Sequence, residues 1–392
     1  AAPEGRRAGP MPEFLPAELR AAKAKFEQFV AEELLPLERA LDADPQAVVP
    51  AEVRQAVRQR SKAAGFWDTL RRRGVGALEG TVLHEALACR NLRVGRFVFG
   101  PGAGMLAKAE GPLRAEYTEA VLAGEKTGAF GFTEPEDIDR SRQTSATLSA
   151  DGASLSVTGQ KSYVTGGAIA DFVLVLANVK GSDGSRRGTA MVLVDRVLPG
   201  VTIEREFTSM DGGPSHAFMR FGDVRVPAWH VVGSIGEGLP KALNQIGHIR
   251  LALAAEAVGL SMWAIGYVEK HLQAPHRSGS PLATKEGVRL RLADLRIEVF
   301  AARSMLYRAA RLVDSGEDAT QEVAATKVFT TEVVGRVVDS AVQLAGGNAL
   351  VRGHPLEHLY RRVRSMRLTE GASDLLRINL AKAKLASNRG RL

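Results

Sequence analysis

The chain has 392 residues, of which 45% are hydrophobic, and a single cysteine, Cys89. This length exceeds what one hydrophobic core usually fills, so two or three domains are expected. One cysteine excludes an internal disulfide and a cysteine-rich metal site, which fits a reducing compartment and a cytoplasmic protein. The net charge of +8 favours polyanions, but it does not choose between a phosphate-bearing small molecule and nucleic acid.

Apolar residues recur at steps of three and four between about 16 and 123, which predicts a helical first third. Between about 126 and 233, short β-branched runs separated by glycine, aspartate and serine predict antiparallel strands. Helical periodicity then returns. The clearest predicted strands cover 154–164, 172–179 and 189–194, and the predicted later helices cover 241–272, 285–314, 320–345, 356–366 and 373–387. We expect no membrane span, because Glu256 interrupts the most apolar helical stretch, around 250–265.

The order of helices, strands and helices favours segregated layers over alternating βαβ units. We therefore predict an α+β protein with an N-terminal helical domain (1–122), a middle antiparallel β domain (123–235) and a C-terminal helix bundle (236–392).

Several familiar motifs are absent. No G-x-G-x-x-G sequence follows a predicted strand and opens a helix, so a Rossmann dehydrogenase is disfavoured. The sequence TGQKS at 158–162 lacks the earlier glycine of a phosphate-binding loop, and its flanks are predicted strands. His354 and His358 lack the companion ligands of a metal site, so no metal is expected.

Four short motifs stand in a specific order. They are FGFTEP at 130–135, TGQKSYVTGG at 158–167, QLAGGN at 343–348 and TEGASD at 369–374. Each one alone is weak, but in this order and spacing they resemble the acyl-CoA dehydrogenase family over about 122–385. The resemblance implies an acyl-CoA dehydrogenase-like fold, FAD as cofactor and acyl-CoA as substrate.

The first two motifs carry the positions that the resemblance assigns to the flavin. Phe132 and Thr133 correspond to the backbone amide and the hydroxyl that meet the pyrimidine edge. Tyr163 corresponds to the aromatic ring against the isoalloxazine, and Thr165 to the hydroxyl that approaches flavin N5. For Tyr163 alone, a core aromatic residue on a strand is the alternative interpretation.

The third motif corresponds to the turn where the family holds the ADP part of FAD, commonly from a neighbouring subunit. This assigns Gln343, Gly346 and Gly347, whose glycines permit close backbone approach to phosphate. A helix C-cap explains either glycine equally well. Where the family often has Arg-x-x-Phe-Gly, Arg277 is the candidate phosphate cation.

The fourth motif resembles the segment that supplies the base in most members, which makes Glu370 the expected base. Removing an α-proton beside a thioester needs a carboxylate whose pKa is raised by an apolar, water-poor pocket. Arg250, at a cationic position of the family, is expected to support Glu370 electrostatically. The alternative is that Glu370 is a solvent-facing or helix-capping acid. Thr369 and Ala372 depart from the family's usual aromatic residue and threonine.

By resemblance, the activity is α,β-dehydrogenation of an acyl-CoA in fatty acid metabolism. Glu370 takes the proton, flavin N5 takes the hydride, and an electron-transferring flavoprotein reoxidises FAD. The resemblance also implies a homotetramer or dimer.

Two other classes of protein stay open. The sequence EDIDR at 136–140 replaces the family's Gly-Ala-Gly-Ser-Asp and keeps a flavin monooxygenase or oxidase on the same fold in view, because its acidic side chains would repel phosphate. The second class is a degenerate, partner-dependent subunit or a DNA-binding relative. Basic runs at 71–73 and 360–367 make nucleic acid worth testing, although a solvated helix face explains them better.

Overall fold

The computed structural model describes residues 15–42, 47–69, 75–100, 104–135, 143–210, 212 and 215–387. The chain divides into two compact units. The first contains 1–99 and 247–392, and the second contains 100–246. The predicted domain boundaries at 122/123 and 235/236 stay a prediction.

Helices build the first unit. They are α1 (Ala17–Phe29), α2 (Leu35–Arg39), α3 (Ala51–Ala64), α4 (Ala77–Ala88), α7 (Gly238–Gln273) from residue 247 onwards, α8 (Glu286–Asp314), α9 (Thr320–Ala345), α10 (Pro355–Ser365) and α11 (Ser373–Ser387). The later helices lie within three residues of the predicted ranges. Their apolar faces form a continuous core, for example through Val258 of α7, Leu306 of α8 and Val334 of α9.

Helix α4 begins without a cap of its own, because its N-cap residue is Gly76, which has no side chain. Asp314, the last residue of α8, supplies the missing acceptors. Its carboxylate oxygens lie 2.5 Å from the Ala77 amide and 2.9 Å from the Leu78 amide. A Cβ atom on Gly76 would lie 2.7 Å from the same carboxylate, so the glycine makes room for it.

Asp314→Ala should therefore destabilise the protein by about 1 kcal/mol, the usual cost of a lost helix cap. The measurement is the unfolding midpoint in denaturant, compared with Asp314→Asn, which keeps one acceptor oxygen and loses the charge. Asn is expected to fall between Ala and the unchanged protein. Equal midpoints for all three proteins would show that the contact contributes nothing.

The second unit is built on one sheet. Its strands are β1 (Gly128–Gly131), β2 (Ser145–Leu148), β3 (Ser154–Thr165), β4 (Phe172–Lys180), β5 (Arg186–Asp195), β6 (Val201–Phe207) and β7 (His216–Pro227). The order is β1-β4-β2-β3-β7-β6, and β5 pairs with β4. The strands predicted at 154–164, 172–179 and 189–194 are confirmed. The ladders are antiparallel except that β1 and β2 each pair with β4 in parallel.

Alternation of side chains gives this sheet two apolar faces. Residues such as Val157, Val192 and Val224 form one buried cluster. Phe172 and Leu193 belong to another, together with Tyr117 and other residues of the short helices α5 (Gly111–Leu113) and α6 (Glu119–Ala123) and their neighbouring turns. The sheet is thus covered on one face by the preceding short helices of its own unit.

Helix α7 is the one helix among the described residues that is long and apolar enough to cross a membrane by length and composition. Within the structure, 61% of its most apolar window is buried. Core helices of folded units pass the same test, so this helix is weak evidence for a span.

Candidate active site

The turn between α10 and α11 carries Glu370 in an unusual backbone conformation. Its φ angle is 56°, in the left-handed region that residues other than glycine rarely adopt. Gly371 follows with a φ of 102°. A Cβ atom there would lie 3.2 Å from the Arg250 guanidinium and from Leu376. Glycine is therefore favoured after Glu370 by the backbone conformation, and a larger residue would also press on these two side chains.

Two cations hold this turn by its main chain. Arg250 Nε donates to the carbonyl oxygen of Glu370 at 2.8 Å. Lys327 Nζ donates to the carbonyl oxygen of Gly371, also at 2.8 Å. Within the described part of the chain, neither cation forms an ion pair with the Glu370 carboxylate, which also accepts no hydrogen bond. The structure thus brings the predicted pair Glu370 and Arg250 together, through the main chain.

Burial and charge act in opposite directions on this carboxylate. Burial raises the pKa of Glu370 above its ordinary value, and the nearby Arg250 and Lys327 oppose the rise. Burial, reinforced by Arg250, lowers the pKa of Lys327 to about 8 against the attraction of Glu370 and Glu332. Burial also lowers the pKa of Arg250, and the negative charge of Glu370 opposes this shift. The result is a carboxyl group with an elevated pKa in a locally positive environment, which suits a general base.

Sequence reasoning gave Lys327 no role. The available signal was its position at helical spacing among apolar and small residues of α9, since Val323 and Val334 share its buried face. A lysine at such a position must find a partner in the core, because an unpaired buried ammonium is costly.

In the second unit, the structure brings the two predicted flavin segments together. The Ser162 amide donates to the Thr133 carbonyl at 2.9 Å, and Lys161 Nζ donates to the Phe132 carbonyl at 3.1 Å. These bonds join the end of β1 to β3. The Tyr163 side chain is 53% exposed, and its φ of 54° lies at a bulge in the β3–β7 ladder.

The exposed side of β3 carries a cluster of aromatic rings around Tyr163 and, two residues further on, the hydroxyl group of Thr165. The Tyr163 ring centroid lies 6.0 Å from Phe207 and 5.5 Å from Phe218. Thr165 is exposed, and its hydroxyl lies 3.1 Å from His216 Nδ1. The core-aromatic interpretation of Tyr163 is therefore wrong, since a ring ligand could reach this residue from outside.

Lys161 is a second buried lysine to which the sequence assigned no function. Its side chain is 2% exposed and pairs with Glu134 at 3.1 Å. Burial alone would raise the pKa of Glu134, but Lys161 and the Thr144 amide outweigh it and hold that pKa below its ordinary value. Burial lowers the pKa of Lys161, and the neighbouring Glu134 carboxylate opposes this shift. The pair fixes the segment that contains Phe132 and Thr133.

The predicted phosphate turn closes α9. Gly346 has a φ of 77°, and no heavy atom lies within 4 Å of a Cβ atom built on Gly346 or Gly347. Gln343 is exposed one turn earlier. A cavity of about 390 Å³ adjoins the turn; it is lined by Tyr267, Lys270, His271, Ala345, Asn348 and His354. Arg277 is exposed in the loop after α7 but does not line this cavity.

Several predicted features bear on nucleic acid or on phosphate repulsion. In the basic run at 360–367, Arg361 pairs with Glu357, and Arg362 pairs with Glu256. These two arginines are engaged within their own unit, as a structural role requires. The basic run at 71–73 and the acidic loop at 136–140 lie outside the described residues. Across the described ranges, no group of three or more His, Cys, Asp or Glu side chains could hold a metal ion.

Comparison with known proteins identifies the family. The model of the acyl-CoA dehydrogenase middle domain matches residues 129–224, and that of the acyl-CoA dehydrogenase C-terminal domain matches residues 236–385. Together these matches span more than half of the chain.

Individual relatives agree with the family matches. The chain is 29% identical over 264 residues to the short-chain specific acyl-CoA dehydrogenase of Megasphaera elsdenii, covering 67% of this chain and 69% of that protein. It is 28% identical over 269 residues to acryloyl-CoA reductase (NADH) of Anaerotignum propionicum, covering 68% of each. The fold is similar to butyryl-CoA dehydrogenase from Megasphaera elsdenii, with a TM-score of 0.78 and 24% identity, covering 95% of this chain and 99% of that chain.

The predicted α+β fold class is confirmed, and the matched domains define an oxidoreductase class whose members act on the CH–CH bond of acyl-CoA. The chain belongs to the acyl-CoA dehydrogenase family. Members of this family depend on FAD.

Each unit, taken by itself, contains residues that fit a part of FAD. A planar ring needs an accessible aromatic wall and hydroxyl partners, which Tyr163 and Thr165 provide. A pyrophosphate needs an open main-chain turn and cations, and the Gly346–Gly347 turn stands next to a cavity that contains Lys270. Among the described residues, the buried Ser162 Oγ has no hydrogen-bond partner, and it lies in the same β3 segment.

Proposed function

We propose that this protein catalyses α,β-dehydrogenation of an acyl-CoA, with Glu370 as the base that removes the α-proton. The observation that carries the proposal is the state of the Glu370 carboxylate. It is partly buried, its pKa is raised, and among the described residues it has no hydrogen bond, although two cations stand beside it. A carboxylate that is held in place and left unbonded is free to accept a proton.

The main chain of the same residue supplies a second function. The Glu370 amide has no hydrogen-bond partner within the described ranges, so it can donate to the thioester carbonyl of the substrate. Negative charge develops on that oxygen as the α-proton leaves, and a fixed N–H donor stabilises it. Arg250 adds positive charge and holds the Glu370 carbonyl oxygen, so that the turn does not reorganise during proton transfer.

Bound FAD would supply the hydride acceptor for the β-carbon of the substrate. In this proposal the flavin ring is positioned by four residues of the second unit, Phe132, Thr133, Tyr163 and Thr165. The ADP part is held by Gln343, Gly346 and Gly347, with Arg277 as a phosphate cation. An electron-transferring flavoprotein serves as electron acceptor, and the protein forms a homotetramer or dimer.

Addition of acyl-CoA to the purified protein under anaerobic conditions tests this function directly. We expect a flavin absorbance spectrum that is bleached by at least one member of a panel of saturated acyl-CoAs of increasing chain length. Bleaching would come with formation of the matching enoyl-CoA. Flavin that stays oxidised with every thioester, together with oxygen consumption on another substrate, would favour the oxidase alternative. Protein without flavin would favour a partner-dependent subunit.

The same groups also support the reverse reaction, reduction of an α,β-unsaturated acyl-CoA. The carboxyl group that accepts the α-proton in one direction returns it to the α-carbon in the other, so the arrangement at Glu370 serves both directions. A relative at 28% identity is named acryloyl-CoA reductase (NADH). The two directions are distinguished by adding an enoyl-CoA to the anaerobically reduced protein. Rapid reoxidation of the flavin with NADH-supported turnover would favour reduction as the physiological direction.

A further inference from the structure

Lys327 is a fully buried lysine among apolar and small residues of α9, and packing of the core does not account for a charged side chain at this position. Its relative exposure is 0%. Burial of an ammonium group is costly unless hydrogen bonds compensate it. Among the described residues, its Nζ donates to one acceptor, the carbonyl oxygen of Gly371. The charge is therefore directed at the turn that carries Glu370.

The two anchoring bonds have a geometric consequence. The Glu370 carbonyl belongs to the peptide plane before Gly371, and the Gly371 carbonyl belongs to the plane after it. Arg250 from α7 holds the first plane, and Lys327 from α9 holds the second. With both planes fixed, the φ and ψ angles of Gly371 are fixed. This matters because glycine is the residue with the greatest backbone freedom.

We propose that Lys327 is a positioning residue for the reaction: by holding the Gly371 carbonyl opposite Arg250, it locks the backbone next to Glu370 and keeps the carboxylate unbonded and in place. This inference rests on the proposed role of Glu370 as the base. Lys327 acts through the main chain and does not itself take the substrate proton.

The charges around Lys327 define a second effect. Arg250 faces it from α7, Glu370 from the turn, and Glu332 from its own helix α9. Glu332 is shared with Arg367 at 3.3 Å and Arg377 at 3.6 Å. Removal of the Lys327 charge therefore leaves Glu370 with one fewer opposing cation, and the pKa of Glu370 should rise further.

Two substitutions separate the bond from the charge. Lys327→Met removes both and keeps the volume, whereas Lys327→Gln keeps a neutral donor. We expect kcat per bound FAD to fall roughly tenfold to a hundredfold in the Met variant, the scale of a misplaced reacting group, and less in the Gln variant. KM for acyl-CoA should change little. In both variants the acid limb of the kcat/KM profile should move to higher pH, because both lose the charge.

A direct readout accompanies turnover. The carboxyl band of Glu370 can be followed by infrared difference spectroscopy against pH, with Glu370→Gln identifying the band. Its titration should shift upward in both Lys327 variants. The matched control is Arg336→Met, which removes a cation from the exposed side of the same helix, where Arg336 pairs with Glu298 at 2.9 Å. Its turnover and pH profile should be unchanged.

The outcomes are separable. Unchanged kcat per bound FAD and an unmoved titration in the Lys327 variants, with Glu370→Gln inactive, would overturn the role of Lys327 alone. Normal turnover in Glu370→Gln would overturn the proposed function and this inference with it. If the Met variant does not fold, the Gln variant decides, since an unmoved titration there contradicts the proposal and an upward shift supports it.

Discussion

Glu370→Gln should retain bound FAD and acyl-CoA affinity but lose at least about a hundredfold in kcat, the usual scale for a removed acid or base. The amide fills nearly the same volume and cannot accept the α-proton at neutral pH. The measurement is single-turnover flavin reduction by acyl-CoA under anaerobic conditions, normalised to FAD content. Glu298→Gln on α8, whose side chain pairs with Arg336 on the surface, is the matched control and should reduce flavin normally.

The same substitution has an expected effect on stability. Burial raises the pKa of Glu370 in the folded protein, so the folded state holds this proton more tightly than the unfolded state. The carboxyl group therefore costs stability as pH rises from its unfolded pKa, near 4.5, through its folded pKa. Glu370→Gln lacks this group and should unfold at an equal or higher temperature near neutral pH. Lower kcat with a clearly lower unfolding temperature would instead indicate that Glu370 is structural.

The pH dependence of the unchanged protein follows from the same shift. The base must be deprotonated, so kcat/KM should fall on the acid side with an apparent pKa above 4.5. Near-normal turnover in Glu370→Gln, or an acid limb that survives in it, would contradict the assignment of Glu370.

The helical bundle was predictable because long amphipathic helices leave a strong periodic signal. The predicted 320–345 and 373–387 agree with α9 and α11 at both ends. The strands of the middle unit were also found, since alternation and turn residues are local signals. The parallel pairing of β1 and β2 with β4 was not predicted from the sequence. It joins residues more than thirty positions apart, and no local sequence pattern signals it.

The candidate site was predictable only where a motif carried it. Glu370, Tyr163 and Thr165 came from short motifs that resemble those of the family, and in the structure Tyr163 and Thr165 are exposed while Glu370 is partly buried. Lys161 and Lys327 were missed because a lysine is normally a surface residue, and its burial is decided by contacts between distant elements. Arg250 was expected to support Glu370 electrostatically, and its charge does act on that carboxyl group. Its hydrogen bond to the main-chain oxygen of Glu370 was not expected, because it depends on a contact between distant segments.

Arg303→Met should destabilise the first unit by about 3–5 kcal/mol, because it leaves a buried carboxylate without its cation. Arg303 binds Glu85 through two bonds of 2.9 and 2.7 Å, and the Tyr307 hydroxyl donates to the same carboxylate at 2.9 Å. Glu85 is 1% exposed. Burial opposes the charge of Arg303, but Glu85 outweighs it and holds the pKa of Arg303 above its ordinary value. The measurement is the denaturant midpoint at saturating FAD, so that cofactor binding does not vary.

The pair links α4 to α8, so the double variant tests whether its charges are needed or only its volume. Glu85→Met with Arg303→Met removes both charges and should recover much of the stability lost in Arg303→Met, since no uncompensated ion remains. A residual loss is expected from the Tyr307 hydroxyl, which loses its acceptor. Adding Tyr307→Phe to the double variant should recover this remaining loss of stability. A double variant that is as unstable as the sum of the two single variants would show instead that the charged network itself holds these helices together.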